Sequence, residues 1–205
     1  MMTITYTVGS GLYVNMTNRC PNNCTFCIRN NGEGAYGSNS LWLDYEPTED
    51  EVFDAIVAAD PTKYSELVFC GYGEPTERLD LLISVSRRIK EKYPDVTIRV
   101  NTNGLSDLIA GRDTSADFAG AVDIISVSMN AASAEKYHEV CISKFGLEAY
   151  GAMLKFCGNV KHHVKKVMLS VVEGTISDEE IEICRKNAEA VGVELRVREY
   201  IAPEN

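Results

Sequence analysis

The sequence predicts an α/β chain built on an open, curved sheet of parallel strands. Extended and helical patterns alternate through the 205 residues, six runs read as strands, and several of the helices between them have readable starts. Six strands are too few for a closed eight-fold barrel. A partial barrel fits the count, with a doubly wound flat sheet as the competing arrangement. In either case ligands are expected at the carboxyl ends of the strands.

The six runs are Leu12-Tyr13-Val14-Asn15-Met16-Thr17, Glu66-Leu67-Val68-Phe69-Cys70, Thr97-Ile98-Arg99-Val100-Asn101, Asp123-Ile124-Ile125-Ser126-Val127-Ser128-Met129, Val167-Met168-Leu169-Ser170-Val171-Val172 and Glu194-Leu195-Arg196-Val197-Arg198-Glu199-Tyr200. Most are short and rich in β-branched residues, as expected of strands buried on both faces. Thr48-Glu49-Asp50-Glu51 is a capping box, followed by Val52, Phe53, Ile56 and Val57 on one helical face. Leu79, Leu82, Ile83, Ser86 and Ile89 mark a second helix, ended by Tyr93-Pro94. Residues 133–140 read as helical, and Ala149, Tyr150, Met153, Leu154 and Cys157 form another stripe. Ser177-Asp178-Glu179-Glu180 is a second capping box, leading to a helix stopped by Gly192. Residues 105–120 offer only short helical stretches. Residues 28–46 form one long irregular segment, the expected lid or partner-docking element, with Trp42 as its anchor to the core and substrate stacking as that residue's lesser reading.

The length suits a single domain, 1–205. Net charge is -10, so the surface repels phosphate backbones and nucleic acid is not an expected partner. Lys161-His162-His163-Val164-Lys165-Lys166 is the one short basic run, read as a solvated turn. No apolar run reaches the ~20 residues needed to cross a bilayer, and the first residues lack the pattern of a secretory signal. A cytoplasmic protein without a membrane partner is expected.

Of seven cysteines, Cys20, Cys24 and Cys27 fall together as C-x3-C-x2-C, while Cys70, Cys141, Cys157 and Cys184 are scattered. That is not the disulfide framework of a secreted mini-protein. The scattered four read as buried structural thiols, and no auxiliary cluster is expected. The trio lies just past the first strand, and its short spacing allows three thiolates to converge on one centre at little loop-closure cost. Structural zinc wants four ligands, and no fourth lies nearby. Three thiolates with a vacant position point to an iron–sulfur cluster with one open iron.

The trio, with aromatic Phe26 before the last cysteine, resembles the signature of the radical S-adenosylmethionine (SAM) superfamily. Gly71-Tyr72-Gly73-Glu74-Pro75 is similar to that family's Gly-Gly-Glu-Pro motif, and Asn101-Thr102-Asn103-Gly104 to its Thr-Asn-Gly segment. The likeness covers nearly all of the chain. The wording Cys-Pro-Asn-Asn-Cys-Thr-Phe-Cys-Ile-Arg and the segment Gly-Tyr-Gly-Glu-Pro-Thr resemble most closely the TatD-associated radical SAM proteins.

The resemblance implies an open (β/α)6 partial TIM barrel. It implies a [4Fe-4S] cluster on Cys20, Cys24 and Cys27, with the amino and carboxylate groups of SAM on the fourth iron. An external low-potential donor such as flavodoxin or ferredoxin would reduce the cluster, at the low end of a range of roughly -700 to +450 mV. Reductive cleavage would give methionine and a 5′-deoxyadenosyl radical that abstracts hydrogen from a substrate. A TatD-like hydrolase is the implied functional partner. Glycyl-radical activating enzymes and the small radical SAM enzyme of deazapurine biosynthesis are alternatives within the class. A non-catalytic iron–sulfur carrier or sensor is the alternative outside it, although a carrier has no use for residues 71–75.

The residues are also readable one by one. Gly71 and Gly73 let backbone approach a ligand and adopt positive φ. Pro75 biases Glu74 toward an extended conformation. Backbone carbonyls here and the Glu74 carboxylate would accept an ammonium group. Thr102 and Asn103 are placed facing SAM or substrate. Ser128 and Asn130 fall where family members hold the SAM ribose and methionine carboxylate, although some relatives carry Asp and Lys there. Phe26 is expected to stack on adenine or pack beside the cluster. Val172, Arg198, Tyr200 and Ile201 are expected at the adenine pocket, with an ion pair on the rim as the other reading of Arg198.

Overall fold

A computed structural model of the chain describes residues 2–199. One seven-stranded sheet runs through it in the order of the sequence. The strands are β1 (Thr5–Val8), β2 (Gly11–Val14), β3 (Glu66–Phe69), β4 (Ile98–Thr102), β5 (Ile124–Ser128), β6 (Lys166–Val172) and β7 (Glu194–Arg198). From β2 to β7 every pairing is parallel. The helices are α1 (Glu49–Ala59), α2 (Leu79–Lys92), α3 (Ser106–Ala110), α4 (Ala134–Cys141), α5 (Glu148–Val160) and α6 (Asp178–Ala190).

The unbroken strand order decides between the two arrangements left open above. A doubly wound sheet reverses its order at a switch point so that helices cover both faces. With no reversal, right-handed crossovers put every helix on one face and the sheet curls about the other. β1 and β7 form its two edges, so the barrel is open.

The sixfold strand count misses β1, which pairs antiparallel with β2 through the two-residue turn Gly9-Ser10, Gly9 having φ +56°. The β-branched run before a Gly-Ser pair is a hairpin signal.

Burial on both faces matches expectation in the middle of the sheet and fails at its edge. Leu67 and Phe69, Ile98 and Val100, Ile125 and Val127, and Leu169 and Val171 are fully buried in the main core, with Ile56 of α1, Leu82, Val85 and Ile89 of α2, and Phe156 of α5. By the two-residue period the alternate positions Asn101, Ser126, Ser128 and Ser170 face the inside of the curl. The inner face mixes these polar positions with apolar Val68 and Met168, which are also buried. β7, read as buried, is exposed at four of its five positions because it is an edge.

Both capping boxes form, Thr48 with Glu51 and Ser177 with Glu180. Residues 133–140 fall in α4, and Tyr93 closes α2. Among the described residues no helix is long and apolar enough to cross a membrane.

Residues 28–46 are irregular beyond a short 3-10 turn at Ile28–Asn31. The expected anchor is corrected: Trp42 is 42% exposed and meets Tyr72 edge-on at 5.1 Å, whereas the flanking Leu41 and Leu43 are buried. Asn15, itself buried, donates to the Leu41 carbonyl at 2.7 Å, and Asn18 donates to that of Leu43 at 2.8 Å.

Candidate functional site

The carboxyl ends of β2 to β5 bring the three motifs together. After β2 the chain runs through Asn15 to Arg19 into the cysteine loop. After β3 it passes directly beneath, as residues 71–75. Gly71 and Gly73 are needed for that contact. A Cβ on Gly71 would collide with the Asn15 side-chain amide. One on Gly73 would collide with the Thr17 carbonyl and stand 2.7 Å from that of Arg19. Neither glycine has positive φ, so the close approach, not turn geometry, is what demands them. The Glu74 amide then donates to the Arg19 carbonyl at 2.8 Å.

Glu74 is extended, at φ -85° and ψ 117°, and Pro75 opens the 3-10 turn after it. The carboxylate has a different place from the one expected. It is buried and accepts four hydrogen bonds from the chain itself: the Thr76 amide (3.1 Å) and hydroxyl (2.8 Å), the Thr102 hydroxyl (2.6 Å) and the Asn103 amide (2.7 Å). Glu74 therefore ties the end of β3 to the end of β4. Burial pushes its pKa up, and the Thr102, Asn103 and Thr76 donors oppose that rise. Thr102 hydroxyl oxygen also accepts from the Gly104 amide at 3.0 Å. Asn103 Oδ1 accepts from the Leu105 amide at 2.9 Å, while its buried Nδ2 has no partner.

Tyr72 turns away from this corner. Its hydroxyl donates to the carbonyls of Gly32 (2.9 Å) and Gly34 (3.0 Å), which fastens the long loop.

The cysteine loop rests on α4 and the turn that follows it. The Asn23 amide donates to the Cys141 carbonyl at 3.0 Å, the Thr25 amide to Val140 at 2.9 Å, and the Lys144 amide to Pro21 at 2.9 Å. Asn22 Nδ2 donates to the Tyr137 hydroxyl at 3.0 Å, and its buried Oδ1 is unpaired. Cys20, Cys24 and Cys27 are free and partly exposed. Burial pushes the Cys20 thiol up to about 12, with the Glu74 charge adding to it. The hydrogen bond Cys24 shares with Cys141 pushes the Cys24 thiol up and that of Cys141 down.

Two neighbours of this loop escaped the sequence reading. Cys141 is buried, as expected of a structural thiol, yet it lies against Cys24. Arg29 Nε donates to Cys27 Sγ at 3.3 Å, and its other nitrogens reach the Asn18 and Asn22 carbonyls, each at 3.4 Å. No spacing rule joins Cys141 to the trio; Arg29 was in view only as part of a motif's wording.

Among the described residues no three His, Cys, Asp or Glu side chains gather closely enough for a single metal ion. A cluster takes one thiolate per iron, so its ligands need not meet at one point. Three thiols on the loop after β2, whose lead-in packs on a glycine-dependent cradle, and an orphaned buried amide donor at the end of β4 fit a cluster and a polar ligand next to it.

The remaining positions are spread around the rim. Phe26 is 47% exposed, which leaves a ring face open rather than packed. Ser128 ends β5. Asn130, at φ +60°, donates Nδ2 to Cys141 Sγ at 3.5 Å and so faces α4. Val172 and Arg198 pair across β6 and β7. Among the described residues Arg198 has no carboxylate within ion-pair reach, against the rim-pair reading. Desolvation lowers its pKa, and Tyr36 and Cys70 oppose this. Tyr200 and Ile201 lie outside the described residues.

The chain belongs to the radical SAM superfamily, which it matches over residues 14–186. That superfamily is a class of enzymes whose cofactors are a [4Fe-4S] cluster and SAM. No curated protein matches the chain. Among solved structures it is similar to TYW1 with a lysine-pyruvate adduct bound, at 16% identity and TM-score 0.65 over 94% of this chain and 65% of that one. It is similar to a radical SAM methyltransferase from Sphaerobacter thermophilus, at 19% identity and TM-score 0.67 over 95% and 57%. SuiB of Streptococcus suis, bound to S-adenosylmethionine, matches at 14% identity and TM-score 0.68 over 93% and 40%. The chain thus spans about two fifths to two thirds of the length of these structures, and the likeness is one of fold.

Proposed function

We propose that this chain is a radical SAM enzyme in which Cys20, Cys24 and Cys27 hold a [4Fe-4S] cluster and SAM occupies the adjoining strand ends. The observation that carries the reading is that the segment leading from β2 into the three-cysteine loop, Asn15 to Arg19, packs directly on Gly71 and Gly73 after β3. Held by Cys20, Cys24 and Cys27, such a cluster would supply the one-electron chemistry for reductive cleavage of SAM and hydrogen abstraction from a substrate.

The protein's part is to bind, orient and shield. With the Glu74 carboxylate engaged by four donors, the acceptors for the SAM ammonium are the backbone carbonyls of residues 71–73. The free Asn103 Nδ2 donates to an acceptor on the bound ligand. Phe26 offers its exposed ring to the adenine, with Val172 and Arg198 across the opening. Ser128 stays a candidate for the ribose, whereas Asn130 acts through Cys141.

A TatD-like hydrolase is the proposed functional partner, on the likeness of residues 20–29 and 71–76. A cytoplasmic flavodoxin or ferredoxin is the proposed electron donor.

Anaerobic reconstitution tests the core of this. Wild-type protein is expected to hold about four irons and four sulfides, and to release 5′-deoxyadenosine from SAM with dithionite. Cys20→Ala, Cys24→Ala and Cys27→Ala should each lose the stable cluster. Wild-type iron and sulfide in all three variants would refute the ligation. A cluster that never yields 5′-deoxyadenosine under a strong reductant would favour a carrier or sensor.

A further inference from the structure

We propose that Arg29 sets the electron affinity of the cluster, by donating a guanidinium N–H to the Cys27 thiolate. The inference rests on the three-cysteine ligation proposed above and concerns a residue outside it.

The three sulfurs do not have equivalent surroundings. Cys24 lies against a second thiol, Cys141, and Cys20 is pressed by burial and the Glu74 charge. Cys27 has a cation, with Arg29 Nε 3.3 Å from its sulfur. The guanidinium does not depend on that sulfur for its position. Its NH1 and NH2 nitrogens are held by the carbonyls of Asn18 and Asn22, on either side of Cys20. The plane of five donors is therefore clamped across the loop, with one edge presented to the ligand.

Its charge is also uncommitted. Among the described residues no carboxylate lies within ion-pair distance of Arg29, although the chain carries 30 acidic residues and a net charge of -10. The same charge acts on Cys20 and Cys24. A guanidinium stays protonated at every working pH, so its effect does not titrate away.

Reduction adds negative charge to a cluster. A cation and an N–H donor at a ligand sulfur stabilise the reduced form more than the oxidised one, which raises the midpoint potential. Arg29 eases entry of the electron in a chain whose net charge of -10 opposes it. It is a positioning and tuning residue, acting through Cys27.

The test is an EPR-monitored redox titration of reconstituted wild type, Arg29→Gln and Arg29→Lys, with iron and sulfide counted first. Arg29→Gln is expected to keep its cluster and to show a tenfold lower ratio of reduced to oxidised form at the wild-type midpoint. For a one-electron couple that is a shift of about 59 mV toward negative potential. Arg29→Lys keeps a cation and should recover at least half of the shift. A wild-type midpoint in Arg29→Gln overturns the inference. If Arg29→Gln loses its iron, the comparison passes to Arg29→Met, which also removes the cation, and an unchanged midpoint there overturns it equally. Loss of iron from both variants reduces Arg29 to a structural clamp and also overturns it. A wild-type chain without a cluster overturns both proposals, and shows in the iron count before any variant is compared.

Discussion

Two neighbouring corners of the sheet end are held together in opposite ways. Around Glu74 the bonding is closed: one buried carboxylate takes four donors from β4 and its own turn, and the glycines let the β2 and β3 extensions touch. Around the cysteines it is open. The thiols are partly exposed, Asn22 Oδ1 has no partner, and the loop leans on α4 through backbone bonds. The first corner is preorganised by the chain alone. The second is left for the proposed cluster to complete, and metal binding there would release thiol protons and add its free energy to folding.

Breaking the closed corner should have the largest effect. Glu74→Gln leaves at least two of its donors competing for one amide oxygen, in a buried place. A loss of about 3 kcal/mol is expected in urea unfolding of the cluster-free chain, by the cost of unpaired buried groups. SAM affinity should fall with it. A variant as stable as wild type would show that the tie contributes nothing.

The glycines sharpen the same contrast. Gly73→Ala drives a methyl into backbone, which cannot swing aside, and should cost about 2 kcal/mol by overpacking. Gly71→Ala meets the Asn15 side chain, whose amide can rotate at the expense of its bonds to Leu41 and Tyr72 while its Cβ, at 2.9 Å, cannot, and should cost somewhat less. The reverse ranking, from paired denaturation curves, would place the tight contact on the wrong glycine.

Near neutrality pH has the smallest effect, and it grows only in the alkaline range. Burial pushes both the Cys20 and the Cys157 thiols up to about 12, from an ordinary 9.0. The folded cluster-free chain thus holds these protons more tightly than the unfolded one. The stability they contribute is whole below pH 9 and drains away as pH rises toward 12. Urea midpoints across that window should decline, and less steeply in Cys157→Ala. A flat wild-type profile would argue against buried thiols.

The sequence shows the frame of this molecule and hides its joints. Capping boxes at Thr48 and Ser177, the alternation of elements and the cysteine spacing depend on residues a few positions apart, so local physics reveals them. Glu74 looked like a ligand acceptor because its donors, Thr102 and Asn103, belong to the next strand, and only folding brings them over. Cys141 gave no sign of its place beside Cys24 for the same reason. Trp42 misled through size, since Leu41 and Leu43 on either side fill the core. The Gly-Ser turn before β2 was readable and was passed over.

The strand order bears on how the chain emerges from synthesis. Each parallel strand lies beside the one made just before it, so no gap is kept for a latecomer. The cysteine loop breaks that schedule, because the shelf beneath it, residues 137–144, belongs to the fourth parallel unit. A nascent chain halted ahead of that shelf already carries all three thiols with nothing to lie on. Under the ligation proposed above, loading the metal belongs after this point, well after its ligands have been made.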